Sequence, residues 1–363
     1  MTRRQVAIVG LALGVGVALR LGLAIAFFGN YDERSYEIVA EIERRGANVY
    51  AETARYNYTP AWALIVHALD TLAIALRLPL HAVIRGFLTL VDVANAVLIG
   101  RIGRAATGAR ASTGFVAYLL NPVAILIVGF HGQFETLAAL PLLAAIAVGG
   151  RARPGTGPIQ WALGTASLVL KHIVAFQFWM LFWYAFTPRR RLLALAASAV
   201  VFAASFLPYL PGGLAGIEQN VFGYGGLRGI YGFGVLLPNP LPTVLFIVVM
   251  TALPVLATKG GLDAPRAIQL SSVALLATIF GIGEQYFLIP ILFSTAFRGP
   301  WYWAYTVVAT LFLLASPNNV FLLSLPPLWN LVWLVALGWF VSLAFGALQV
   351  TRDVRRVRSP RPA

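Results

Sequence analysis

RRQVAIVGLALGVGVALRLGLAIAFF, residues 3–28, decides the fold. From Gln5 to Phe28 the run contains one charge, Arg20, and no alternation of apolar and polar positions. At 1.5 Å per residue a helix of this length crosses the roughly 30 Å hydrocarbon core of a bilayer. Lipid cannot hydrogen-bond a bare backbone, so a spanning segment must be a helix or part of a closed barrel. Continuous apolar runs without period-two alternation favour helices. MTRRQVAIVGLALG begins like a signal peptide, but the apolar run continues to Phe28 with no clear small-residue cleavage site. It therefore reads as an uncleaved first span.

The rest of the chain repeats this pattern. Further apolar segments centre on residues 81–100, 111–129, 134–149, 158–170, 173–187, 191–210, 241–258, 265–281, 284–298, 300–316 and 326–349. The expected fold class is an all-α integral membrane protein. It is a single polytopic domain over residues 1–363, with about 10–13 transmembrane helices. Of the 363 residues 59% are hydrophobic and only 11% are charged, against about 25% charged in a soluble domain. That is too little polar surface to cover a soluble core of this size. The chain has no cysteine, which excludes a disulfide framework and thiol chemistry. The net charge of +14 does not point to nucleic acid, because the basic residues sit in short loops between apolar runs.

Those loops set an expected orientation. With Arg3 and Arg4 in the cytoplasm, Arg101/Arg104/Arg110, Arg151/Arg153, Arg189/Arg190/Arg191, Lys259/Arg266, Arg298 and the basic tail at 350–363 fall there too. The tail, RDVRRVRSPRPA, reads as disordered. This arrangement requires that residues 59–77, which carry His67 and Asp70, be re-entrant or interfacial rather than spanning. Residues 29–80 then form the first extracytoplasmic loop. Within it DERSYEIVAEIERR reads as an amphipathic helix with Tyr36, Val39 and Ala40 on one side and Gly46 as its stop. Tyr50, Tyr56, Tyr58 and Trp62 read as an interfacial aromatic cluster.

The same orientation gathers unusual polar residues on the outer face. Asp32 and Glu33 lie in the first loop. His131, Gln133 and Glu135 lie in the turn FHGQFE, and Lys171-His172 interrupts about thirty apolar residues. Glu284, Gln285 and Tyr286 follow Gly283 in the turn GEQY, and Arg228 sits in FGYGGLRGIYGFG, a candidate lid. Of 13 acidic residues, only Asp263 and Asp353 fall clearly on the cytoplasmic side. Ionisable groups at membrane depth are costly and usually functional. Plainer readings exist for each. Asp32-Glu33 suits the start of a surface helix, the His131 turn and the Glu284 turn suit helix capping, and Lys171 suits snorkelling to the headgroups. Arg20 reads as snorkelling, and Asp92 and Asn95 read as ties between helices. No Walker loop, dinucleotide fingerprint or zinc-type histidine spacing is present.

Taken in order, NYDERSYEIV, GANVYAETARYNYTPAW, NPVAILIVGFHGQFE, LKH and GEQYFLIP resemble the GT-C membrane glycosyltransferases. The likeness is to bacterial relatives of the GPI mannosyltransferase catalytic subunit and of the ER glucosyltransferases of N-glycan assembly. It covers the chain to about residue 290. It implies a polyprenyl-phosphate-linked sugar as donor, a lipid or glycan acceptor, transfer of a mannose-like hexose on the extracytoplasmic face, and inversion at the anomeric carbon. Asp32 matches the first-loop acid that acts as general base. Where some members carry DxD this chain has Asp32-Glu33-Arg34, so no cofactor is required by the motif and a divalent metal stays open. The residue types fit this chemistry. A carboxylate serves as proton acceptor for an attacking hydroxyl. Lys171, His172 and Arg228 offer positive charge to a phosphate leaving group. His131, Gln133 and Glu135 suit sugar hydroxyls. A different class, a transporter or lipid-carrier flippase, would use the same groups along a path, but no internal repeat supports it. A non-catalytic subunit of an assembly complex is the third reading.

Overall fold

The computed structural model describes residues 2–149, 157–224, 226–316 and 328–358. The chain is an all-helical membrane protein. Helices α1 (Arg3–Ala26), α2 (Tyr31–Arg44), α3 (Val49–Glu52), α4 (Pro60–Leu76), α5 (Leu80–Thr107), α6 (Ala111–Leu119), α7 (Pro122–Gly129), α8 (Glu135–Gly149) and α9 (Gly157–Leu170) form its first half. Then come α10 (Ala175–Ala185), α11 (Pro188–Ala204), α12 (Leu210–Gly216), α13 (Phe233–Leu236), α14 (Leu241–Lys259), α15 (Ala264–Thr278), α16 (Leu288–Ser294), α17 (Pro300–Ala315) and α18 (Trp329–Arg358). Two short strands, β1 (Leu227–Arg228) and β2 (Gly281–Ile282), pair antiparallel.

Five helices among the described residues are long and apolar enough to cross a membrane, six if the pair α6–α7 is one span bent by 53°. That is fewer than the 10–13 expected from the sequence. Several apolar segments fold as shorter helices, among them α4, α8 and α17. The α6–α7 bend follows from Asn121-Pro122. Proline has no N–H for the helix ladder and its ring crowds the preceding turn. Asn121 Oδ1 takes over as cap by accepting from Val123 N at 2.9 Å. Its amide donates to the Tyr302 hydroxyl at 3.0 Å, which ties the bend to α17.

The first loop folds against the bundle. Helix α2 buries Glu33, Ser35, Tyr36, Val39, Ala40 and Ile42 and stops at Arg45-Gly46, the glycine having φ +66°. It lies parallel to α4, with Tyr36 edge-on to Trp62 at its start and Arg44 bonded to Asp70 at 3.2 Å near its end. Both ends of α4 are held at one end of the bundle. Thr59 Oγ1 donates to Leu170 O at 2.9 Å. At the other end three residues separate α4 from α5, whose Arg85 reaches the Phe27 carbonyl at 2.8 Å where α1 ends. Helix α4, about 25 Å long, therefore does not run from one end of the bundle to the other.

Four sequence expectations need correction. Arg20 does not snorkel. It is fully buried, pairs with Asp92 at 2.6 Å and donates to Leu119 O at 2.7 Å. Carboxylate and carbonyl acceptors inside the bundle satisfy a fork of donors that would otherwise have to reach the headgroups. Asp92 also accepts from Tyr118 and, at 2.7 Å, from Thr136, and Asn95 bonds Thr136, so these residues do tie helices. Tyr50, Tyr56, Tyr58 and Trp62 are not a surface belt; all four are buried. Trp62 stacks on Phe134 at 4.0 Å, and Tyr50 packs on Tyr209. The basic tail is helical as far as Arg358, as the end of α18. Finally, the candidate lid is pinned, because Leu227–Arg228 pairs with Gly281–Ile282. Arg151 and Arg153 lie outside the described residues.

Candidate functional site

Two loops meet first. The loop after α1 turns through Gly29, with φ +101°, and the turn after α7 through Gly132, with φ +62°. A Cβ on Gly29 would strike the Arg85 guanidinium, and one on Gly132 would strike the Glu33 carboxylate. Only glycine permits both the backbone conformation and the close approach. The contact brings the start of α2 against residues 130–135.

Asp32 sits at this junction, in the first turn of α2 and partly exposed. Its Oδ2 accepts from Gln133 Nε2 at 2.5 Å. Burial raises the carboxyl above the usual aspartate range. Lys171, Arg55 and the Gln133 bond pull it down, and Glu135 pushes it up. Beside it Lys171 Nζ bonds Glu135 Oε1 at 2.6 Å. The ammonium also lies 4.1 Å from the centre of the Phe134 ring and 4.8 Å from that of Tyr58. Lys171 is the extended residue just before the short turn His172–Val174 between α9 and α10, the helix–turn–helix break expected from the sequence, and its side chain is free of capping and turns to Glu135. Tyr224 and Tyr286 are close enough to act electrostatically with Asp32 and Glu135.

Glu33 faces away from Asp32. It is buried and bonds Arg85 Nε at 2.7 Å, while Arg85 also donates to the carbonyls of Phe27 and Phe28. With Asp32 held by Gln133 and Glu33 by Arg85, the two acids do not form a joint donor pair. No group of three histidine or acidic side chains among the described residues is arranged to hold a metal ion. The residues present do not fit a divalent ion bridged by Asp32 and Glu33.

His131 is buried. Asn30 Nδ2 lies 2.6 Å from its Nδ1, and Glu284 Oε2 lies 3.5 Å from its Nε2. Glu284 Oε1 accepts from Ser316 Oγ at 2.7 Å. Burial pushes the His131 imidazole down to about 3, helped by the charge of Arg85. Burial, and then Lys171, push His172 down to about 4. Both rings are uncharged at neutral pH. Gln285 and Tyr286 are buried in the same turn.

The structure thus brings Asp32, Glu33, His131, Gln133, Glu135, Lys171 and Glu284 into one connected cluster. Arg228 is exposed on β1, its guanidinium 5.5 Å from the Phe280 ring centre rather than against an acid of the cluster. The sequence reading misses Asn30, Arg55, Arg85 and Ser316. Asn30 had a signal, since asparagine before an acidic helix start is a cap. Arg85 had one too, as a charge inside an apolar run. Arg55 donates to Tyr31 O at 3.2 Å and stacks over the Tyr31 ring at 3.6 Å; it lies in a polar stretch where nothing sets it apart. No family model matches the chain, and no curated protein or solved structure matches it.

Proposed function

We propose that the chain is a membrane glycosyltransferase that moves a hexose, mannose-like in its demands, from a polyprenyl-phosphate donor to a lipid or glycan acceptor. One observation carries this reading. Asp32 is a partly exposed carboxylate on which two separately encoded segments converge, the turn after α7 supplying Gln133 and Glu135 and the break between α9 and α10 supplying Lys171. Its raised affinity for protons makes it a better general base than an ordinary aspartate. Gln133 Oε1 and Glu135 Oε2 are buried and have no hydrogen-bond partner within the protein among the described residues. Buried acceptors without partners suit a ligand rich in hydroxyl donors.

In this reaction the acceptor hydroxyl attacks the anomeric carbon from the face opposite the phosphate. Asp32 takes its proton, the bond from anomeric carbon to phosphate oxygen breaks, and the lipid phosphate leaves as an anion. Inversion follows from this single displacement. The leaving group needs positive charge. Lys171 is already neutralised by Glu135 and His172 is uncharged. That leaves Arg55, which acts on Asp32 electrostatically, and Arg228 from the pinned loop. The basic residues in loops at the opposite end of the bundle support a cytoplasmic location for that end and an extracytoplasmic one for the site.

The test is a donor screen with purified protein and radiolabelled polyprenyl-phosphate sugars, with Asp32→Asn run beside wild type. The expected result is a glycosylated product for wild type and a loss of about 100- to 10,000-fold for the variant. Turnover of D32N at the wild-type rate ends the assignment.

A further inference from the structure

We infer that Asn30 and His131 form a positioning pair that sets the direction of the Asp32 carboxylate, with His131 acting as a hydrogen-bond acceptor at Nδ1. The inference rests on the proposed role of Asp32 and reassigns His131, which the residue pattern had suggested for sugar binding.

Asn30 is the cap of α2. Its Oδ1 accepts from Asp32 N at 3.1 Å. The side-chain amide has one oxygen and one nitrogen, so its Nδ2 is the atom turned to His131 Nδ1, at 2.6 Å. Turning the amide over would set an NH2 group against the Asp32 N–H, donor against donor. An amide nitrogen only donates, so His131 Nδ1 must offer a lone pair and the ring proton sits on Nε2. That nitrogen faces Glu284 Oε2 at 3.5 Å, and Glu284 Oε1 in turn accepts from Ser316 at 2.7 Å.

The chain of contacts runs from the end of α17 through the turn before α16 and the turn after α7 to the backbone of the proposed base. The links from His131 Nδ1 through Asn30 to the Asp32 N–H are hydrogen bonds that fix orientation, and Glu284 approaches the other side of the ring at 3.5 Å. His131 is buried behind Asn30; its Nδ1 is committed to Asn30 at 2.6 Å, while Nε2 lies 3.5 Å from Glu284 without a hydrogen bond. With Nδ1 used by Asn30, this side of the ring orients the cap. Gln133, two residues on, then meets the Asp32 carboxylate from the same turn. The backbone of Asp32 and its carboxylate are thereby held by one segment, residues 131–133. This is the precision that a proton transfer during attack demands.

Two variants separate positioning from packing. His131→Phe keeps a ring of similar size without the acceptor. His131→Asn places an amide oxygen near the position of Nδ1. In sugar transfer, H131F is expected to lose about 10- to 100-fold in kcat with little change in KM for the donor, and H131N to recover most of it. Asn30→Ser, which keeps a cap acceptor but lacks the amide arm, is expected to match H131F. The double variant N30S/H131F is expected to be no worse than either single change. A rise in KM with unchanged kcat in H131F, or equal activity of H131F and H131N, overturns the inference.

A second readout does not depend on activity. In 15N-histidine-labelled protein, which has four histidines, the signal missing from H131N identifies His131. The Nε2–H tautomer is expected, with an Nδ1 resonance that moves in N30S. An Nδ1–H tautomer or an imidazolium overturns the pairing. If wild type transfers no sugar from any donor, the glycosyltransferase reading falls, and this spectrum still decides whether the pair exists.

Discussion

Gln133 Nε2 donates to Asp32 Oδ2 at 2.5 Å across 101 positions of sequence. The bond joins the first turn of a loop helix to the turn between two apolar helices. It stabilises the ionised carboxylate and opposes the effect of burial on its proton affinity. Gln133→Leu removes it without adding charge. The expected outcome is a fall in kcat of about tenfold and a shift of the acid limb of the rate profile to higher pH, measured by initial rates of sugar transfer.

Asp32 itself fixes the sign of the pH dependence. Burial raises its folded-state value above that of the unfolded chain. A general base works only when deprotonated, so kcat/KM should fall as pH drops through that raised value, above the range of an ordinary aspartate. Stability should show the opposite trend. Between the ordinary and the raised value the folded state binds more protons than the unfolded one, so the contribution of Asp32 to stability decreases as pH rises. Rate profiles and thermal unfolding of wild type and D32N across the acidic range check both signs.

Lys171 and Glu135 are both buried and bonded at 2.6 Å. Lys171→Met leaves a carboxylate buried without its partner, which costs about 3–5 kcal/mol in such pairs. The single variant should melt well below wild type. Lys171→Met with Glu135→Gln should regain much of that stability, because no charge is left unpaired. It should not regain transfer, because the Glu135 carboxylate offered to the sugar hydroxyls is gone. A double variant with full activity would show that the pair serves packing alone.

Arg85 and Glu33 form the second buried pair, at 2.7 Å, and Arg85 also holds the carbonyls that end α1. Arg85→Ala should destabilise the protein by about 3–5 kcal/mol. It should lower activity through displacement of the loop after α1. Glu33→Gln, which keeps the shape, should be milder in both respects. A melting temperature unchanged in R85A would contradict a structural role for the Arg85–Glu33 pair.

Sidedness is testable with single cysteines, since the chain has none. Gly132 and Gly226 are poor positions, both having positive φ and a crowded Cβ direction. Glu52, in α3 of the first loop, and Ala109, just beyond the C-terminal end of the 28-residue α5, are exposed. E52C should react with an impermeant maleimide added outside cells, and A109C only after permeabilisation. The reverse pattern would place the Asp32 cluster in the cytoplasm.

The membrane character and the helical fold were legible in residues 3–28 and in the segments that repeat their composition. Hydrophobic length is a local property, and lipid leaves the backbone no alternative to a helix. The polar turns were legible as interruptions of apolar runs, which is how Asp32, His131, Gln133, Glu135, Lys171 and Glu284 stood out. Pairing was not legible. Arg20 looked like a residue that snorkels because its partner, Asp92, lies on another helix. Glu33 looked like a companion of Asp32, yet Arg85 turns it the other way. The aromatic residues from Tyr50 to Trp62 looked interfacial, but they pack on Phe134 and Tyr209. The sequence by itself determined a polytopic helical protein with its ionisable groups gathered in a few turns. Only the tertiary structure decided which of them neutralise each other and which carboxylate, Asp32, stays partly exposed. The physical reason is that the cost of a buried charge depends on the group it meets, and here those groups come from helices far apart in the chain.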